Sequence, residues 1–160
     1  MVEILTGENN PLLRTKCQPV EKIDKNIRSI IEEMKETMER ANGVGLAANQ
    51  IGYSLRIITV QLEDKFYAFI NPEIVKTFPA TSVSQEGCLS LPLIVGEVER
   101  PEKIILKATD LSGKKIKKIK RKFFGLLARI IQHEVDHLDG ILFIDKAKNI
   151  TKLNQEINSL

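Results

Sequence analysis

Two histidines occur in this chain of 160 residues, and they stand four apart in His133-Glu134-Val135-Asp136-His137. Residues four apart on a helix share a face, so both imidazoles can turn toward one metal ion. A glutamate directly after the first histidine is placed to take the proton of a water that such an ion activates. The chemistry on offer is metal-assisted hydrolysis. On a wheel turning about 100° per residue, Leu126, Ile130 and His137 fall within about 60° on one side of His133. Leu127, Ile131 and Leu138 carry that arc to about 160°, and Glu134 lands near 100°, inside the apolar stretch. A carboxylate in such a place is costly unless it is paired, protonated or set beside a metal. Arg129, Gln132, Asp136 and Asp139 form a polar arc on the other side of His133, and Arg129 is expected to edge a pocket or stand in water.

A catalytic metal site needs a third protein ligand and an open position. Glu156, downstream of His137, is one candidate. The other is Cys88, in Gln85-Glu86-Gly87-Cys88-Leu89-Ser90, a segment expected as a loop between strands. Thiolate is the softer and tighter ligand, which favours Cys88 without deciding the choice. Gly43-Val44-Gly45-Leu46-Ala47-Ala48-Asn49-Gln50 adds two glycines and two alanines that permit close backbone approach to a bound group, and an amide at Gln50. By itself that segment reads equally well as a tight turn with small-residue packing.

Elements must position these groups. Ile23, Ile27, Ile30, Ile31, Met34 and Met38 have helical spacing, which predicts a helix over 23–40 with Asp24 as N-cap and Gly43 beyond its end. Strands are expected over 56–62, 66–70, 73–78, 95–99 and 103–109. Asp110-Leu111-Ser112-Gly113 is a turn that makes a hairpin of the last strand and the basic run after it. A second helix, over 123–139 and stopped by Gly140, carries both histidines; a short polar helix is expected over 149–159. Helix, antiparallel strands and helix together predict an α+β fold, and the length predicts a single catalytic domain over 1–160.

The composition bounds the rest. No apolar run approaches a membrane span and no secretory signal opens the chain, so a cytoplasmic, bacterial-type location is the expectation, with an organellar or phage origin open. Of 24 basic residues, seven lie within Lys114–Lys122; the other 17 face 21 acidic ones, so the positive charge is local. A solvated hairpin is the plain reading of that run, and a weak contact with ribosomal RNA the sharper one. Cys17 has no partner motif and is expected to be structural.

The three segments, ending in Gln132-His133-Glu134-Val135-Asp136-His137-Leu138-Asp139-Gly140, together resemble the peptide deformylase family in order and approximate spacing, over nearly the whole chain. The resemblance implies antiparallel β-sheets packed around a central metal-binding helix. It implies removal of the formyl group from formyl-methionine of nascent polypeptides, with one divalent metal on Cys88, His133 and His137. Ferrous iron is the expected metal, with zinc, nickel or cobalt as alternatives. Glu134 is implied as general acid and base, with the Gln50 amide and the Leu89 backbone N–H as oxyanion donors. The backbones of Gly43, Gly45, Glu86 and Gly87 would pair with an extended substrate, and Val44, Leu126 and Ile130 would wall the methionine slot. Two competitors stand beside this reading. One is an endopeptidase with Glu156 as third ligand, the other an RNA-binding module with a structural metal. The oligomeric state is open, a monomer being the expectation.

Overall fold

The computed structural model describes residues 2–154 of the chain. A short helix α1 (Pro11–Arg14) precedes α2 (Lys25–Arg40), whose Asp24 cap accepts from the Ile27 backbone N–H at 3.1 Å. Then come β1 (Gly45–Ala47), a 3₁₀ turn (Ala48–Ile51), β2 (Ile57–Leu62), β3 (Lys65–Thr77), β4 (Thr81–Cys88), β5 (Leu91–Pro101), β6 (Lys103–Asp110) and β7 (Lys117–Phe124). Helix α3 (Gly125–Leu138), a 3₁₀ turn (Phe143–Asp145) and β8 (Lys148–Lys152) complete the order. All named strand pairs are antiparallel, in a five-stranded sheet β1-β2-β3-β6-β7 and a three-stranded sheet β4-β5-β8. The expected α+β fold with antiparallel sheets around a central helix is what the chain adopts.

Helix α3 lies between the sheets, which accounts for its composition. Ala128, Ile131, Val135 and Leu138 pack into a core with Ile58, Val60, Phe69, Ile104, Leu106 and Phe123 of the larger sheet. The opposite side of the helix meets the smaller sheet through polar groups, described below. Helix α2 covers the same large sheet elsewhere, burying Ile27, Ile30, Ile31, Met34 and Met38 against Leu46, Ile57 and Ile70. The carbonyls at the end of α3 have partners: Asn49 Nδ2 donates to His137 O at 2.7 Å, and Arg56 Nη1 and the Cys17 N–H donate to Leu138 O at 3.1 and 2.8 Å. These bonds satisfy acceptors that a helix end leaves open, and they fix the histidine pair against the rest of the fold. Cys17 is 2% exposed in the large core, the structural role expected of it.

Several local expectations need correction. Residues 66–70 and 73–77 belong to the single strand β3, which ends before Phe78 and has register shifts between Ile70 and Glu73, around Asn71 with its φ of +51°, and between Ile74 and Lys76. Gln85–Cys88 is not a loop but the end of β4; Ser, Gln, Glu and Gly gave no β signal, and pairing with β5 imposes it. In place of a tail helix, Lys148–Lys152 forms β8, an exposed strand held by backbone pairing to β5. Leu153 and Asn154 follow it in no regular element, and the part of that predicted helix over 155–159, Glu156 included, lies outside the described residues.

Candidate active site

Glycine and small residues let β1 run close to α3. A Cβ at Gly45 would strike Glu134 Oε1 and lie 2.8 Å from Ile130 Cγ2, so a side chain there is excluded. Glu134 is 4% exposed, and its Oε2 has no hydrogen-bond partner among the described residues. Burial, against the opposing charges of His133 and Arg100, raises its pKa to about 7. The side chain that the wheel set in the apolar arc is indeed buried there.

Ligand-type atoms of Cys88, His133 and His137 all lie within 4.8 Å of one another. Cys88 Sγ stands 3.2 Å from His137 Nε2. His133 Nδ1 stands 2.9 Å from Glu86 Oε1. Burial pushes the Glu86 pKa up, but hydrogen bonds from His133 and Arg100 outweigh it and hold the carboxyl at about 2. A carboxylate only accepts, so His133 donates through Nδ1 and keeps Nε2 for the site. Burial disfavours the His133 cation, yet Cys88, Glu86 and the charge of Glu134 override it and raise the pKa to about 10. His137 is driven well below the usual range by burial and then by the His133 charge. A donor set of one sulfur and two imidazoles, all within 4.8 Å of one another, fits a divalent metal ion.

Gln50 is held at both ends of its amide. Its Oε1 accepts from the Ala47 N–H at 2.9 Å, while Nε2 donates to Ser90 Oγ at 3.0 Å and lies 3.6 Å from Cys88 Sγ. A cleft of about 740 Å³ opens over this group. Gly43, Val44, Gly45, Gln50, Glu86, Gly87, Cys88, Leu89, Leu126, Ile130, His133 and Glu134 all line it, so nearly every residue singled out in the sequence converges here. Val44 and Leu126 stand at its open rim, 52% and 58% exposed, while Ile130 is buried. The strands flanking the cleft, β1 and β4, are each the edge of their sheet.

Arg129 lines the same cleft, as one expectation had it, but its charge does not reach water. Its guanidinium is buried, donating to Glu86 Oε2 at 2.7 Å, Val98 O at 2.9 Å and Ser82 O at 2.8 Å. Arg100, unremarked in the sequence, grips both Glu86 oxygens at 2.7 and 2.9 Å and Asp136 Oδ2 at 2.9 Å. Two guanidiniums thus neutralise the carboxylate that orients His133. The alternation of β5 carried a hint, because Arg100 shares a strand face with buried Val98. Ser90, fully buried beneath Gln50, stood in the Cys88 segment, but nothing in the sequence assigns it a role.

Fold and site together define a metal-binding hydrolase: a sulfur and nitrogen donor set, a buried carboxylate and an apolar cleft between two strand edges. The model of the polypeptide deformylase family matches residues 1–153. A peptide deformylase of Dictyoglomus thermophilum is 47% identical over 156 residues, covering 98% of this chain and 99% of that protein. The crystal structure of peptide deformylase from Thermotoga maritima superposes with a TM-score of 0.86 at 41% identity, covering 92% and 98% of the two chains. A class I type b peptide deformylase from Acinetobacter baumannii, crystallised with Met-Ala-Ser bound, gives 0.84 at 33% identity, covering 91% and 98%. The chain belongs to the polypeptide deformylase family.

Proposed function

We propose that this chain removes the formyl group from the N-terminal formyl-methionine of nascent polypeptides, using one divalent metal held by Cys88, His133 and His137. The observation that carries the reading is the convergence of those three donors beside the Glu134 oxygen that has no hydrogen-bond partner among the described residues. Bound there, the ion supplies Lewis acidity, which makes water a nucleophile at neutral pH. Glu134 takes the proton from the attacking water and returns it to the leaving amine. Its burial supports that role, since a carboxyl with a pKa of about 7 is matched to both halves of the transfer. Gln50 Nε2, fixed by Ser90, and the Leu89 backbone N–H donate to the oxyanion as it forms. The free edges of β1 and β4 receive an extended substrate as an added strand, through the backbones of Gly43, Gly45, Glu86 and Gly87. Val44, Leu126 and Ile130 line the methionine slot, a reading supported by the relative that binds Met-Ala-Ser.

Ferrous iron is the metal of this proposal, with zinc, nickel and cobalt able to fill the same donor set. The whole chain acts as one catalytic domain, a monomer in the cytoplasm, that meets the ribosome through Lys114–Lys122. No helix among the described residues is long and apolar enough to cross a membrane. The ligand assignment is tested with Cys88→Ala and Glu156→Ala. Metal content and deformylation should both vanish in the first and persist in the second. The reverse pattern would move the site to an endopeptidase-type ligand set.

A further inference from the structure

We propose that the outer face of β3, β6 and β7 is a docking surface for single-stranded RNA. Opposed residues of antiparallel strands share a face, and Ile104, Leu106 and Phe123 point into the core, so their neighbours point outward. The outward rows are Lys103 with Phe124, Ile105 with Lys76 and Lys122, Lys107 with Glu73 and Lys120, and Thr109 with Lys118. Phe78 closes one end of this face. The ammonium groups of Lys76, Lys103 and Lys122 lie 4.9, 5.0 and 5.5 Å from its ring centroid, and Lys103 also lies 5.7 Å from the Phe124 ring. Phe124 is 59% exposed.

Two features make this more than a solvated basic face. Among the described residues, none of these six lysines forms a salt bridge, and Glu73 is the one carboxylate in the rows. Lys107 stands directly opposite Lys120, a like-charge pair that weakens a sheet until an anion screens it. Charge complementarity therefore calls for a polyanion. The aromatic rings, interleaved with cations, select one with exposed bases to stack, which is single-stranded RNA. An anionic membrane would also attract the lysines, but it offers nothing to stack on Phe124 and Phe78, so the rings decide for RNA. The sequence run alone concealed the motif, because Lys76, Phe78 and Lys103 join it only through strand pairing. The inference deepens the ribosome contact proposed above and rests on it for the identity of the natural RNA.

The test is fluorescence anisotropy of the whole protein with a labelled single-stranded RNA of mixed sequence, across a salt series. Lys107→Gln/Lys120→Gln/Lys122→Gln should flatten the slope of log K against log salt by about 2. Phe124→Ala should weaken binding about tenfold and leave that slope unchanged. Both variants should deformylate a formyl-methionyl peptide at the parent rate, showing an intact fold. Binding that is absent at low salt, unmoved by these substitutions, or tighter to an RNA duplex or to phosphatidylserine vesicles would overturn the proposal. RNA binding in a protein that proved to lack deformylase activity would support this surface while removing the catalytic reading.

Discussion

Glu134 is the residue on which the catalytic account turns. A carboxylate 4% exposed, with one oxygen unpartnered among the described residues, does nothing for stability that an apolar side chain would not do better. Glu134→Gln keeps the volume and removes the proton acceptor. The expected result is a fall in kcat of about 10²–10⁴-fold with metal content and thermal midpoint no lower than the parent's, read by steady-state kinetics and metal analysis. A kcat within tenfold of the parent would assign the proton transfer elsewhere. Residue types and spacing were enough to find this group, because the wheel set a charge where only a partner or a task can sustain it. They could not find what Arg129 does. Its neighbours on the polar arc look solvated in one dimension, and only the smaller sheet makes that arc an interface.

Elements set the geometry of the ligands. β4 brings Glu86 and Cys88 to α3; hydrogen bonds from His133 and from Arg100 on β5 keep Glu86 ionised, and Arg129 on α3 adds a further donor to it. Glu86→Gln should therefore loosen the metal without touching a ligand: about 10–100-fold in metal affinity or activity, measured by chelator competition. Unchanged affinity would mean that the His133 ring is oriented by packing alone, for instance by its stack on Phe143 at 6.1 Å. Both long helices and most strands of the larger sheet were legible because each has an apolar face with a regular period. β4 and β8 were not, since their sequences are polar and their pairing rests on backbone hydrogen bonds that leave no period to read. The same invisibility hid the link from Glu86 to two arginines, which depends on register between strands.

The whole molecule holds its N-terminal segment to the far side of the site through Arg14, which binds Asp145 at 2.6 Å and reaches Gly140 O at 3.4 Å. The Arg14 hydrogen bond lowers the Asp145 pKa below its ordinary value, so the contact stabilises the fold above that value and the benefit is lost as pH falls through the folded pKa. Asp145→Asn should lower stability at neutral pH by no more than about 1 kcal/mol, the pair being partly exposed, and the difference should close in acid. Denaturation at two pH values checks this, and a gap that widened in acid would reverse the sign. Helix, sheets, cleft and donor set then make one prediction in common, that metal and formyl-specific turnover go together. The direct measurement is anaerobic: metal analysis of the purified protein alongside hydrolysis of a formyl-methionyl peptide and its acetyl counterpart. One equivalent of metal per chain with turnover of the formyl peptide alone is the predicted result. A full complement of metal with no formyl-specific turnover would contradict the account.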